Sequence, residues 1–254
     1  MERAILKYIG YLHDEKRVSY NTEISYERDI KDAVHFFKQH DIDTPDMVTE
    51  TNVNSYMLWL EREHMSAATI SRRIAALRSF FDYLKAKGII ETNPAQAVKT
   101  PRVEKKMPSF ISFEDMEKLL EQPDGHSVKG IRDRAMLELL YSTGIRVSEL
   151  INLKLNELDL KRGYIVCRTS ANERWIGFSD SAAAALSRYL KHAREIILKE
   201  KENPYLFVNC QGDQMSRQGF WKLLKKYAKK ADITEDITPH TLRQIFIMKS
   251  LITG

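Results

Sequence analysis

Between Val98 and Ser112 the chain reads VKTPRVEKKMPSFIS, with two prolines, four cations, one acid and no apolar period. Proline can neither continue a helix nor donate to a sheet ladder, and charges at this spacing cannot be buried. The stretch therefore reads as an exposed linker. It divides the chain into an N-terminal unit over residues 1–97, a linker over 98–111 and a second unit over 112–254. With 254 residues, 43% of them apolar, each side can build its own core.

The N-terminal side has helical spacing. Asn21 or Thr22 starts a helix whose Ile30, Ala33, Val34 and Phe37 fall three and four apart. A second helix over 52–62 carries Val53, Met57 and Leu60 on one face. A third opens at Ser66 and runs to Lys87, with Ile70, Ile74, Leu77, Phe81 and Leu84 inward and Gly88 as its stop. Asn93 and Pro94 open a short turn. These elements make a compact helical bundle, and Arg72, Arg73 and Lys85 point away from its apolar stripe.

The second side mixes periods. Ser112 caps a helix carrying Met116, Leu119 and Leu120, and another runs from about Gly130 through Ala135–Tyr141. Residues 156–178 then turn to alternating, β-rich sequence broken by KRG and SANE, which predicts a three-stranded antiparallel sheet. A helix over 181–199 follows, then a short strand or extended piece over 205–209. Ser216 next caps a basic helix whose Phe220, Leu224 and Tyr227 face inward. The fold class is mainly α with a small antiparallel β-sheet, an N-terminal helical bundle followed by an α+β domain.

No apolar run is long enough to span a membrane, and charges are scattered through MERAILKYIGYLHDEKR where a signal peptide would be apolar, so a cytoplasmic location is expected. Cys167 and Cys210 lie in strand-like sequence without metal-ligand spacing and read as small buried or half-buried residues. Neither zinc nor a disulfide is predicted. A net charge of +5 favours a polyanionic partner. Its distribution says more: Trp221–Lys230 carries five lysines and no acid, among them Lys222, Lys225 and Lys226. Ser66–Phe81 carries Arg72, Arg73 and Arg78 and no acid. These are two basic faces suited to a duplex, or, on the plainer reading, solvated cations.

Two short motifs carry chemistry. In YSTGIRVSEL, residues 141–150, Gly144 relaxes the end of one helix, and Ser148 with Glu149 can cap a helix restarting at Leu150. Arg146 sits at that junction and needs an anion, either a structural partner such as Glu149 or Asp133 or a ligand. About ninety residues on, in TPHTLR, Thr238 is a good N-cap and Pro239 suits the first helical position. His240 and Arg243 then stand three apart near a helix N-terminus. That is an anion site with a titratable group beside it. Two guanidiniums can clamp the oxygens of a phosphodiester, and an imidazole titrating near neutrality can move a proton there.

TGIRVSEL, then SRQGFWKLLKKYA, then HTLR, with SAATISRRIAALRSFFDYL upstream, resemble the tyrosine recombinase (phage integrase) family over essentially the whole chain, most closely its Xer-type members. The resemblance implies a core-binding domain followed by a catalytic domain, closing around double-stranded DNA. It implies strand breakage and rejoining through a phosphotyrosyl intermediate, without metal or nucleotide cofactor, in association with another copy or a related recombinase. Arg146, His240 and Arg243 match the family's catalytic positions.

Three departures follow. The family's lysine on the turn of the small sheet aligns with Thr169, and no lysine lies between Arg162 and Lys191; Arg168 or Arg174 can reach a phosphate there, but a guanidinium is a very poor acid. Gln244 stands where the Xer-type pattern has histidine. The nucleophilic tyrosine and the terminal helix given to a neighbouring protomer lie, in the family, beyond Gly254, and none of the eleven tyrosines follows Tyr227. The expectation is a truncated recombinase inactive in strand cleavage. The alternatives are a DNA-binding remnant or regulator that occupies recombination sites without cleaving, and an unrelated helical regulator.

Overall fold

The computed structural model describes residues 1–102, 111–168, 172–235 and 237–253, with the side chains of 239, 240 and 249–253 outside that description. The chain forms two compact units, Met1–Lys106 and Met107–Gly254.

Four helices build the first unit: α1 (Glu2–Asp14), α2 (Tyr20–Lys38), α3 (Glu50–Arg62) and α4 (Ala67–Ala86). Each of the last three starts on a side-chain cap. Ser19 accepts from the Thr22 amide, Thr49 and Asn52 form a capping box, and Ser66 accepts from the Thr69 amide. The α2 and α3 starts fall one or two residues before the predicted ones, because the capping hydroxyls lie upstream of the first apolar residue, while α4 opens on the predicted Ser66. The helix α1 is an addition to the sequence reading. Its Ile5, Tyr8 and Leu12 recur at three and four and are buried, and Tyr8 Oη donates to Ser79 Oγ at 2.8 Å, tying α1 to α4. Tyr8, Phe37, Tyr56, Leu60, Ile74, Leu77, Phe80, Phe81 and Leu84 fill the core.

The segment after α4 folds back onto it. Arg78 donates from Nε to the carbonyl of Ala95 at 3.2 Å and from Nη2 to that of Val98 at 3.1 Å, while Ser71 Oγ donates to Pro101 O at 3.3 Å. Val98 is buried in the first core. The beginning of the predicted linker is thus docked on α4, and its residues 103–110 lie outside the described residues.

The second unit is organised around α6 (Val128–Thr143), which is buried nearly all round. Preceding it is α5 (Phe113–Glu121), capped by Ser112, and following it is the short α7 (Val147–Asn152). Strands β1 (Leu158–Asp159), β2 (Tyr164–Arg168) and β3 (Glu173–Gly177) form an antiparallel sheet in the order β1-β2-β3, as the sequence predicts. In the β2–β3 register Cys167 faces Arg174, Val166 faces Trp175 and Arg168 faces Glu173.

The predicted 181–199 helix begins earlier, on Ser179, and is not uniform. It comprises α8 (Asp180–Tyr189), a π turn (Leu190–Arg194) and α9 (Glu195–Leu198). Arg194, at the end of the π turn, is buried and donates to the carbonyls of Asn203, Tyr205 and Leu206, which holds the following extended segment in place. The segment makes isolated bridges at Lys154–Tyr205 and Val208–Gln214 rather than a strand. The last two helices are α10 (Arg217–Lys230), capped by Ser216, and α11 (Pro239–Thr253).

A buried ion pair sits inside this unit. Arg132 donates to Asp133 Oδ1 from Nε (2.9 Å) and Nη2 (2.6 Å), and to Val208 O from Nη1 (3.1 Å). Tyr227 Oη donates to Asp133 Oδ2 at 2.8 Å. This assigns Asp133 to Arg132 and not to Arg146. Burial pushes the Tyr227 hydroxyl far above the ordinary phenol range, with the Asp133 carboxylate adding to the shift. Of the two free cysteines Cys167 is buried, as expected, and its thiol is pushed up to about 11, chiefly by burial. Cys210 is exposed, a correction to the expectation of burial. Among the described residues no helix is long and apolar enough to cross a membrane, and no cluster of His, Cys, Asp and Glu could hold a metal ion.

Candidate active site

Gly144 ends α6 in the left-handed region, at φ +59°, which costs a glycine almost nothing. The chain then turns, and Arg146 becomes the N-cap of α7. The capping differs from the sequence reading, in which Ser148 and Glu149 precede a helix from Leu150. Here the Glu149 carboxylate reaches back, and its Oε2 accepts from the Arg146 amide at 2.7 Å. Glu149 Oε1 lies 3.5 Å from Arg146 Nη1 and also accepts from Arg174 Nη2 of β3. One largely buried carboxylate therefore anchors two guanidiniums, whose side chains remain 59% (Arg146) and 44% (Arg174) exposed. Arg146 is not a buried cation compensated inside the protein, as its apolar sequence context suggests. Net charge around the carboxylate is positive, and both guanidiniums have open edges for an anion.

The helix α11 approaches this turn through Phe246. A Cβ built on Gly144 would lie 2.2 Å from the Phe246 ring, so the ring occupies the space that only a glycine leaves open. Arg243 is one helical turn before Phe246, half-buried, and among the described residues it makes no hydrogen bond or ion pair. The start of α11 is built as predicted. The Thr241 amide donates to Thr238 Oγ1 at 3.1 Å, the Thr238 amide donates to Thr241 Oγ1 at 2.8 Å, and Pro239 holds the first helical position. His240 follows on the first turn of α11, with its side chain outside the described residues. Thr169, which aligns with the family's missing lysine, is also outside them.

The other predicted site residues distribute differently. Arg168 pairs with Glu173 at 2.9 Å on the opposite face of the β-hairpin from Arg174. On α10, Lys225 lies over the Trp221 ring and Lys226 over that of Tyr227, both 5.3 Å from the centroid. Lys222 and Lys226 are exposed and, with Arg132 and Cys210, border a shallow cavity separate from Arg146. In the first unit Arg72 pairs with the buried carboxylate of Asp29 and stays 45% exposed. Arg73 and Arg78 correct the picture of a solvated arginine face. The Arg73 side chain is only 13% exposed and donates to Tyr56 Oη at 3.1 Å and Asp32 Oδ2 at 2.9 Å, while Arg78 is spent on the carbonyls of Ala95 and Val98. Sequence reasoning treated Glu149 as a cap and as the partner of one arginine. Its second bond, to Arg174, crosses 25 positions and has no local signal.

The phage integrase family matches residues 109–250, and the phage integrase N-terminal SAM-like domain matches residues 5–88. Tyrosine recombinase XerD of Oceanobacillus iheyensis is 37% identical over 257 residues, covering 100% of this chain and 86% of that protein. Tyrosine recombinase XerC of Herpetosiphon aurantiacus is 37% identical over 256 residues, covering 100% of this chain and 83% of that protein. Among solved structures, the XerH site-specific recombinase bound to its difH substrate superposes with a TM-score of 0.72 at 17% identity, over 100% of this chain and 75% of that one. The Tn1549 transposon integrase in complex with transposon right end DNA gives 0.73 at 20% identity, over 99% and 87%. Both carry the same fold, a helical unit followed by a mixed unit with a small sheet. On the matched families and on relatives alike over its full length, the chain belongs to the phage integrase family of tyrosine recombinases, alongside its Xer-type members.

Proposed function

We propose that this chain binds double-stranded DNA and grips one phosphodiester with Arg146 and Arg243, as the phosphate clamp of a site-specific recombination reaction. The observation that carries the reading is the seating of Phe246 on Gly144, which brings the α11 turn bearing Arg243 to the turn bearing Arg146. Both arginines have capacity for an anion: Arg146 through its exposed edge and Arg243 through donors that no described residue occupies. His240, three residues before Arg243, stands on the same helical face and is suited to a proton on the bound phosphate's leaving or attacking oxygen. Arg72 in the first unit and Lys222, Lys225 and Lys226 on α10 supply contacts to flanking phosphates. Association with a second copy or a related recombinase on the DNA follows from the family's chemistry, and so does action in the cytosol. The chemistry needs no metal or cofactor when a tyrosine ester conserves the energy of the broken bond.

Tyr227 donates to the buried Asp133 with its hydroxyl pushed far up, which makes this particular phenol a poor nucleophile. A titration of labelled duplex at rising salt tests the clamp. Affinity should fall steeply with salt, and Arg146→Ala should weaken binding about tenfold while shifting stability by no more than about 0.5 kcal/mol, because the side chain is exposed. Salt-insensitive binding, or an unaffected Arg146→Ala variant, counts against the clamp. A nicked suicide duplex tests Tyr227 directly: Tyr227→Phe should leave any covalent adduct on a denaturing gel unchanged, and loss of an adduct in that variant would show that this hydroxyl is aligned for attack.

A further inference from the structure

Residues 39–61 hold five acids and no lysine or arginine, in a chain whose net charge is +5. The Pro45–Met47 turn of that stretch faces the end of α4 across a cavity of about 680 Å³. Buried Val48 and Ile90 line it together with exposed Ile89, Asp46 and Glu91. Helix α4 ends there on a Schellman turn: the Gly88 amide donates to Lys85 O at 3.0 Å and the Ile89 amide to Leu84 O at 2.9 Å, with Gly88 at φ +67°. In such a turn the apolar residue after the glycine ordinarily folds against its own helix. Ile89 instead stays 44% exposed, and Met47, next to Asp46, is 48% exposed. The cations nearest in sequence are elsewhere: Lys85 does not line the cavity, Lys87 lies over the Tyr83 ring, and Lys38 is bonded to Glu2. Among the described residues Asp46 and Glu91 make no ion pair.

We infer that this groove is a docking site for a basic segment of a partner protein, an extended peptide that seats an aliphatic side chain on Ile89 and sets lysine or arginine against Asp46 and Glu91. Charge complementarity selects the occupant. The rim is acidic without an internal counter-charge, so it repels DNA phosphate, and it lies about 24 Å along α4 from Arg72 at 1.5 Å per residue. A simple cation needs no apolar wall, and among the described residues no cluster of His, Cys, Asp and Glu could hold a metal ion. In sequence the acids continue past the cavity through Asp43 and Asp41, so their match is a run of cations and not a single one. Covering Ile89 removes apolar surface from water, and the Schellman bonds have already fixed its backbone, which lowers the ordering cost of binding.

Fluorescence anisotropy on the whole chain tests the groove with three labelled peptides: one alternating lysine with leucine, one alternating glutamate with leucine, and one alternating lysine with serine. The lysine–leucine peptide should bind, and more weakly as salt rises. The other two should bind at least about tenfold more weakly. Asp46→Asn combined with Glu91→Gln should weaken the lysine–leucine peptide about tenfold and Ile89→Ser about fivefold. Glu61→Gln, in the same acidic stretch but off the cavity, should change it less than about twofold. Circular dichroism on each variant checks that the fold is intact, as expected for exposed positions. Duplex affinity should be the same in every variant, so this result stands or falls apart from the DNA-binding reading. Equal binding of the glutamate–leucine peptide, an Asp46→Asn, Glu91→Gln variant that keeps its affinity within about twofold, or displacement of the peptide by duplex overturns the inference. Concentration-dependent self-association, seen by sedimentation and abolished by the same double variant, gives the groove to a second copy and overturns it as well.

Discussion

Arg72 and Arg73 are consecutive, yet they do different jobs. Asp29 is buried, and the two guanidiniums approach it from α4: Arg72 by a direct bond, Arg73 with its Nε 3.9 Å from Oδ1 and its other donors on Tyr56 and Asp32. Removing Arg73 leaves the Tyr56 hydroxyl without its donor and Asp29 with a single counter-charge in a low-dielectric setting. Deletion of one partner of such a buried group is the costly kind. Arg73→Ala should therefore lower the urea-unfolding free energy by about 2–4 kcal/mol. A loss below about 0.5 kcal/mol would show that the network is ornamental. The sequence could not separate these neighbours, because a cation set off the apolar stripe looks the same whether it meets water or an acid on another helix. Asp29 and Asp32 lie more than forty positions upstream. Arg146 was legible for the opposite reason. The glycine before it, the acid three residues after it and the apolar helices on either side are all local marks.

Between α6 and α11 the packing depends on a missing side chain. Gly144 supplies a positive φ and also the space that the Phe246 ring fills. Gly144→Ala adds the strain of a left-handed alanine and forces the ring out, which together should cost about 1–3 kcal/mol. The larger effect should be on DNA binding, since displacing Phe246 moves the turn that carries Arg243. The double variant Gly144→Ala with Phe246→Ala removes the clash and leaves only the strain. A double-mutant cycle should accordingly show the two changes to be strongly non-additive. Additive losses would mean that the glycine is required for its backbone alone. At this scale most elements were legible from caps and periods: α4, α5, α10 and the three strands follow their Ser, Pro and turn signals. Two features were not. The helix α1 carries charges on its exposed positions that mask an apolar stripe of only three residues, Ile5, Tyr8 and Leu12. The π turn in the 180–198 helix exists because buried Arg194 reaches three carbonyls, a tertiary demand that overrides a regular helical pattern.

Across the whole chain, each unit buries tyrosine hydroxyls, and this gives the molecule an alkaline limit. Tyr8 in the first unit and Tyr189 in the second are both pushed up to about 12, chiefly by burial, against hydrogen bonds to Ser79 and to backbone that pull the other way. In the unfolded chain these phenols ionise near 10. The folded-state values are raised, so the contribution is fully present below about pH 10 and is lost as pH climbs toward 12, where the unfolded chain has released protons that the native one still holds. Urea midpoints should accordingly be flat from neutral pH to about 9.5 and fall between about 10 and 12. Tyr8→Phe should lessen that fall for the first unit only, because the phenyl ring fills the same core site without a proton to lose, while buried Tyr56, also raised, keeps the rest. Tyr189→Phe should lessen it for the second, where the raised Tyr227 hydroxyl keeps part of the fall. Each variant is read by circular dichroism alongside tyrosinate absorbance. A decline that begins below pH 9, or a slope that neither variant changes, would place the alkaline sensitivity in other groups and remove buried tyrosine as its cause.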